Sequence, residues 1–143
     1  MTQIAKNNRR NLIDLENLFK QMPQVGYVIN NHFAEGIYAR ERLATADTLI
    51  IGKRHRHQTM SILLKGTLSV YNEETNSVKH IQAPYIWVTE PYAKRMTYSH
   101  TDTILMTIHP TNEIDVDEIE KEFTIPEEEY QLMLKQGDTK CLG

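Results

Sequence analysis

Hydrophobic residues recur along this chain with two different periods. Near the start, Leu12, Leu15, Phe19 and Met22 fall at spacings of three and four, with Asp14 and Glu16 between them. This predicts a short amphipathic helix that ends before Pro23 and packs on a sheet or on a second subunit. From Val25 to His109 the pattern changes to short runs rich in Val, Ile, Thr and Tyr. Turn residues break the runs at Asn30-Asn31, Glu35-Gly36, Ala46-Asp47, Lys65-Gly66, Asn72 to Asn76 and Thr89 to Ala93. About eight strands fit, with no helical pattern between them, which argues for an antiparallel sandwich or barrel and against a parallel α/β sheet. After Pro110 helical spacing returns. Ile114, Ile119 and Phe123 are set among acids, and Pro126 then opens a helix through Tyr130, Leu132 and Leu134 that Gly137 can cap. The chain thus divides into an N-terminal helical segment (1–24), a β-barrel (25–110) and an acidic helical extension (111–143).

Composition narrows this picture. A chain of 143 residues fits one domain, and its 40% hydrophobic content is enough for a packed core without disulfides or a structural metal. Cys141 is the single cysteine, so no intramolecular disulfide forms and a reducing compartment is expected. The first 20 residues lack the apolar run of a secretory signal, and no apolar stretch approaches the roughly 20 residues a membrane-spanning helix needs. A cytoplasmic location follows as the expectation, with no membrane partner.

Charge is unevenly spread. The net charge is -3, yet residues 1–109 hold 13 basic against 9 acidic residues (+4) and residues 110–143 hold 3 against 10 (-7). The acidic tail is either a solvated helical face or a segment that docks on the basic part of the chain or on a partner. The basic residues are scattered and not interleaved with stacking aromatics, which excludes a nucleic-acid polymer as the expected partner.

The most informative chemistry is His55-x-His57 in Lys53-Arg54-His55-Arg56-His57. On a strand, residues i and i+2 share a face, so Leu49, Ile51, Lys53, His55 and His57 form one stripe that turns from apolar to basic. Two imidazoles so placed close on a divalent metal, hydrogen-bond an anion, or stand solvated with no role. Lys53 beside them favours an anionic ligand, carboxylate or phosphate; in the bland alternative Lys53 reaches solvent and Arg95 pairs with Glu41 or Glu90. Glu41 shares a face with Ile37, Ala39 and Leu43, and a lone carboxylate on an apolar stripe calls for Arg95, Lys53 or a metal as partner. His109 ends the last strand before Pro110, as a site residue or a hydrogen-bonded structural one. His80 and His100 read as surface residues and His32 as a rim contact.

The His55-x-His57 segment, followed by the run from Ser61 to Val70 and then by Pro84 and Pro91, resembles the cupin family of small jelly-roll barrels over roughly residues 36–109. Among cupins the chain looks most like short proteins often encoded by bacteriophages. The pattern is His32-Phe33, Gly36-x-Tyr38-x-Arg40-Glu41, Gly52-Lys53-x-His55-x-His57, Ala83-Pro84, Lys94-Arg95 and Thr107-x-His109-Pro110. The resemblance implies a mainly β fold, a single cupin jelly-roll β-barrel with an N-terminal helix and C-terminal helices, that associates as a homodimer or higher homo-oligomer. It implies a divalent metal (Zn, Fe, Mn or Ni) or none. Metal-binding cupins complete His-x-His with a glutamate and a further histidine, and here those positions fall on Thr59 and near Met96.

Three functions follow as expectations. In the first, His55 and His57, with His109 or Glu41, hold a metal, Arg40, Lys53, Arg95, His32 and His109 bind an anionic substrate as the resemblance places them, and Tyr38, Glu41 or Tyr98 supplies acid–base chemistry for an isomerase, lyase or oxygenase. In the second, the same pocket captures an anionic metabolite or a nucleotide-like host signal without turning it over, as a phage accessory protein in the host cytoplasm. In the third, the N-terminal helix and acidic tail are interface material and the histidines are incidental.

Overall fold

The computed structural model describes residues 11–18 and 27–141. A helix over 11–18 (α1) buries Leu12. Phe19 and Met22 lie outside the described residues. Nine strands follow: β1 Val28–Ala34, β2 Ile37–Ala44, β3 Thr48–Ile51, β4 Thr59–Lys65, β5 Thr67–Asn72, β6 Ser77–Gln82, β7 Tyr85–Thr89, β8 Arg95–Ser99 and β9 Thr103–His109. Two helices close the chain, α2 Val116–Phe123 and α3 Glu127–Cys141. No helix among the described residues is long and apolar enough to cross a membrane.

The strands form two antiparallel sheets, β1-β2-β9-β4-β7 and β3-β8-β5-β6. Strands adjacent in space are distant in sequence, as in a jelly roll: β4 pairs with both β7 and β9. One end of the space between the sheets is filled by Leu63 and Leu105 from the first sheet against Leu68, Val70 and Ile81 from the second. Burial of these side chains is the apolar driving force that holds the sheets face to face. Gly66 sits at the turn between β4 and β5 with φ +90°, and a Cβ there would collide with the carbonyl of Asp102. Only glycine fits that turn.

Two local expectations are corrected. Asn30-Asn31 is not a turn but the middle of β1, where Asn30 donates to Glu41 and Asn31 accepts from Tyr38. The polar needs that usually send asparagine to turns are met here by side chains of the paired strand. Gly137 does not cap α3, which runs on to Cys141.

The acidic tail docks on the barrel through the basic loop between β3 and β4. Lys53 pairs with Glu120, Arg54 with Glu127 and Arg56 with both carboxylate oxygens of Glu129 at 2.7 and 2.9 Å. Backbone bonds join the same segments: Arg56 N–H donates to the Phe123 carbonyl at 2.8 Å and Ile125 N–H to the Arg54 carbonyl at 2.9 Å. Asp115 starts α2 by accepting from the amides of Asp117 and Glu118, which satisfies donors the helix leaves free. Arg54 is the centre of this docking. Its side chain is 1% exposed, donates to Glu73 of the β5–β6 turn and to the Tyr92 carbonyl, and lies 4.1 Å from the centre of the Tyr130 ring. Burial works against its charge, yet the bond to Glu73 and the charges of Glu73 and Glu127 hold its pKa above the ordinary value.

Glu73→Ala leaves this guanidinium buried without its main counter-charge, and a loss of roughly 3–5 kcal/mol is expected. The paired change Arg54→Met with Glu73→Leu should lose much less. Urea denaturation measures both; a loss below about 1 kcal/mol for the single variant would show that the pair is not what anchors the tail.

Candidate ligand-binding site

The site is set by which face of each strand turns inward. On β2 the inward residues are Tyr38, Arg40, Arg42 and Ala44, alternating with Ile37, Ala39, Glu41 and Leu43 on the outer face. The apolar stripe thus faces out and the arginine stripe faces in, the reverse of what the isolated sequence of β2 suggests. Outer Ile37, Met60, Ile86 and Val88 are all substantially exposed. The inner surface above the leucine core is polar, with Thr59, Ser61 and Thr97 each buried.

His55 reaches this interior from a loop, not from a strand. β3 ends at Ile51, and His55 makes only an isolated bridge to Thr124 of the tail. Its carbonyl accepts from the Tyr92 amide at 2.7 Å and its Nδ1 lies 3.0 Å from the Thr59 hydroxyl. Its ring meets that of His109 edge-on, with centroids 5.6 Å apart. His109 in turn stacks on Tyr38 at 5.8 Å and packs against Phe123 of α2 at 4.7 Å. Arg95 enters from the second sheet, its guanidinium 5.5 Å from the centre of the Trp87 ring. A cavity of about 520 Å³ lies beside Arg95, walled by Trp87 and Tyr85.

These groups share a marked electrostatic character. Burial, then the charges of His109, Arg95 and Arg40, pushes His55 down to about 4. Burial, then Arg40, pushes His109 down to about 4. Both imidazoles are therefore neutral at pH 7, with an unprotonated nitrogen available. Arg95 is pushed down to about 10 by burial. The Tyr38 hydroxyl, raised by burial and partly offset by Arg40, donates to Asn31 at 2.5 Å.

The structure thus brings together Tyr38, Arg40, His55, Arg95 and His109 and sends the other sequence candidates elsewhere. His57 lies in the loop beyond His55 and turns its exposed ring edge-on to Phe123 at 5.7 Å. The shared strand face predicted for the two histidines does not exist, because Gly52 to Gln58 leave the sheet to meet the tail. Lys53 is exposed on Glu120, Glu41 is on the outer face hydrogen-bonded by Asn30 and His32, and His32 is itself exposed there. Tyr98 is on the outer face of the second sheet, donating to Asp47 at 2.6 Å. Sequence reasoning missed Arg42, Trp87 and Phe123. The i, i+2 relation of Arg40 and Arg42 was the available signal for the first.

The residues do not fit a resident divalent ion. Among the described residues no three His, Cys, Asp or Glu side chains group as a metal site. The two imidazoles that do approach each other are flanked by guanidiniums, which oppose a cation.

No protein-family model matches the chain, and no curated protein matches it. Solved structures do. A cupin superfamily protein from Desulfitobacterium hafniense DCB-2 is similar with TM-score 0.51 at 4% identity, over 62% of this chain and 81% of that one. A conserved protein with a double-stranded β-helix domain from Klebsiella pneumoniae is similar with TM-score 0.53 at 14% identity, over 66% and 85%. A salicylate 1,2-dioxygenase from Pseudaminobacter salicylatoxidans is similar with TM-score 0.56 at 10% identity, over 83% of this chain and 35% of the enzyme. The fold is the cupin jelly roll. At these identities the likeness extends to architecture alone, so the site of this cupin-fold chain rests on its own residues.

The lowered pKa values of His55 and His109 set a pH dependence. The unfolded chain takes up protons on both residues as pH falls below 6.5, whereas the folded chain does not until about pH 4. Stability is therefore full above that window and is lost as pH falls through it, at up to about 1.4 kcal/mol per pH unit for each residue. Urea denaturation at intervals from pH 7.5 to 4.5 should show the slope, flattened in the double variant His55→Gln, His109→Gln; equal slopes in the two proteins would refute the assignment.

Proposed function

We propose that this protein binds a small anionic ligand, a carboxylate or phosphate, inside the cupin barrel. The observation that carries this reading is the charge of the interior: Arg40 and Arg95 bear on His55 and Arg40 bears on His109, and among the described residues no carboxylate hydrogen-bonds or ion-pairs with either imidazole. A guanidinium removed from water is stabilised by an anion that it meets as a planar fork, and the neutral imidazoles and the hydroxyls of Thr59 and Ser61 supply further polar contacts. Trp87 offers an aromatic wall to the apolar part of such a ligand.

The unprotonated imidazoles favour a second reading built on the same pocket. A ligand bound by Arg40 and Arg95 presents its neighbouring atoms to a base held at neutral charge, as proton abstraction requires. The protein is then an isomerase or lyase in which the arginines orient the substrate. Simple capture needs only the first set of contacts.

Calorimetric titration with inorganic phosphate and with benzoate should show saturable binding of at least one, lost tenfold or more in Arg95→Gln. Absence of binding by both would end the anion reading. Recovery of the bound compound after denaturation separates capture from turnover: it returns unchanged from a sequestering protein and altered from an enzyme.

A further inference from the structure

Arg42 is a buried cation that the site described so far does not use. Its side chain is 7% exposed within the barrel. Its Nη2 donates to the Thr97 hydroxyl at 3.1 Å, and its Nε is buried with no partner. It lies two residues from Arg40 on the inner face of β2, and Thr97 lies two residues from Arg95 on the inner face of β8. The Arg42–Thr97 bond therefore ties two rows together, one from each sheet, with Arg40 further along the first row and Arg95 further along the second. Among the described residues no Asp or Glu forms an ion pair or hydrogen bond with Arg40, Arg42 or Arg95.

We propose that the occupant of the barrel carries at least two negative charges, as a phosphate ester or a polycarboxylate does, and is not a monocarboxylate. This rests on the anion-binding reading and names its ligand class. The reason is charge balance. Arg42 is buried and Arg40 and Arg95 are half-buried beside it; a buried ion without a counter-ion is strongly disfavoured, and a single carboxylate neutralises only one of the three charges. An anion with charge on two or more oxygens spread over a phosphate or over separate carboxylates meets guanidiniums arriving from both sheets at once. Burial, followed by the charge of Arg40, lowers the pKa of Arg42 to about 10, in keeping with a cation that lacks its partner.

The test compares pyrophosphate and citrate with benzoate and acetate by calorimetric titration at matched ionic strength. Pyrophosphate or citrate is expected to bind at least tenfold more tightly than either monocarboxylate, and the stronger of the two names phosphate esters or polycarboxylates as the class. Arg42→Met should reduce that preference at least tenfold and raise the melting temperature of the ligand-free protein, because it removes an uncompensated buried charge. Arg95→Gln gives a second measure of the same preference. Benzoate or acetate binding as tightly as the polyanions would overturn this inference and leave the anion pocket standing. Failure of all four to bind would remove both. An Arg42→Met protein that melts lower and keeps the preference would make Arg42 a structural strut and overturn the inference as well.

Discussion

The placement of the site depends on Arg54. This guanidinium sits outside the barrel interior, yet it gathers four separate parts of the chain: the β3–β4 loop that carries it, Glu73 at the end of β5, the Tyr92 carbonyl and α3 through Glu127 and Tyr130. The loop has no regular structure to hold it, so these contacts fix its path. His55, the next residue, is thereby aimed at His109. Burying such an ion pair is not in itself stabilising, since desolvation of both charges offsets much of their attraction. Its value here is directional: a hydrophobic pair would fill the same space without dictating where four backbones meet.

Inside the barrel the logic is reversed. The leucine core closes one end of the space between the sheets, and the other end is left polar and cationic, with two imidazoles held neutral and three guanidiniums without carboxylates among the described residues. This arrangement costs folding stability and gains nothing structural that apolar side chains would not supply. Groups that weaken a fold without supporting it mark a candidate site, and here they lie on facing strands of the two sheets. The likeness to other cupin folds adds the architecture, and the charge pattern is this chain's own.

The sheet region was legible because its signals are local. Glu35-Gly36, Gly66 and residues 73–76 all fall between strands, with Lys65 and Asn72 closing the strands before them, since turn conformation is decided by a few neighbouring residues. Burial direction was not local. The stripe Ile37, Ala39, Leu43 looks like a core face, and only the tertiary arrangement shows that the polar stripe Tyr38, Arg40, Arg42 is enclosed. The histidine pair failed for a related reason: His55 bridges Thr124, and no pattern within residues 49–57 encodes a partner that far away. The charge imbalance between barrel and tail did point there, and of its two readings docking on the basic loop is the one realised for Glu120, Glu127 and Glu129.

The Thr124 bridge also makes the barrel's loop depend on a segment that follows every strand in sequence. A nascent chain paused at residue 115 would already contain every barrel strand, but nothing from α2 or α3 to hold the His55 loop in place. The wall formed by Phe123 against His109 would be missing as well. Both the path of the His55 loop and the wall over His109 are therefore completed only when the acidic segment folds back onto the barrel.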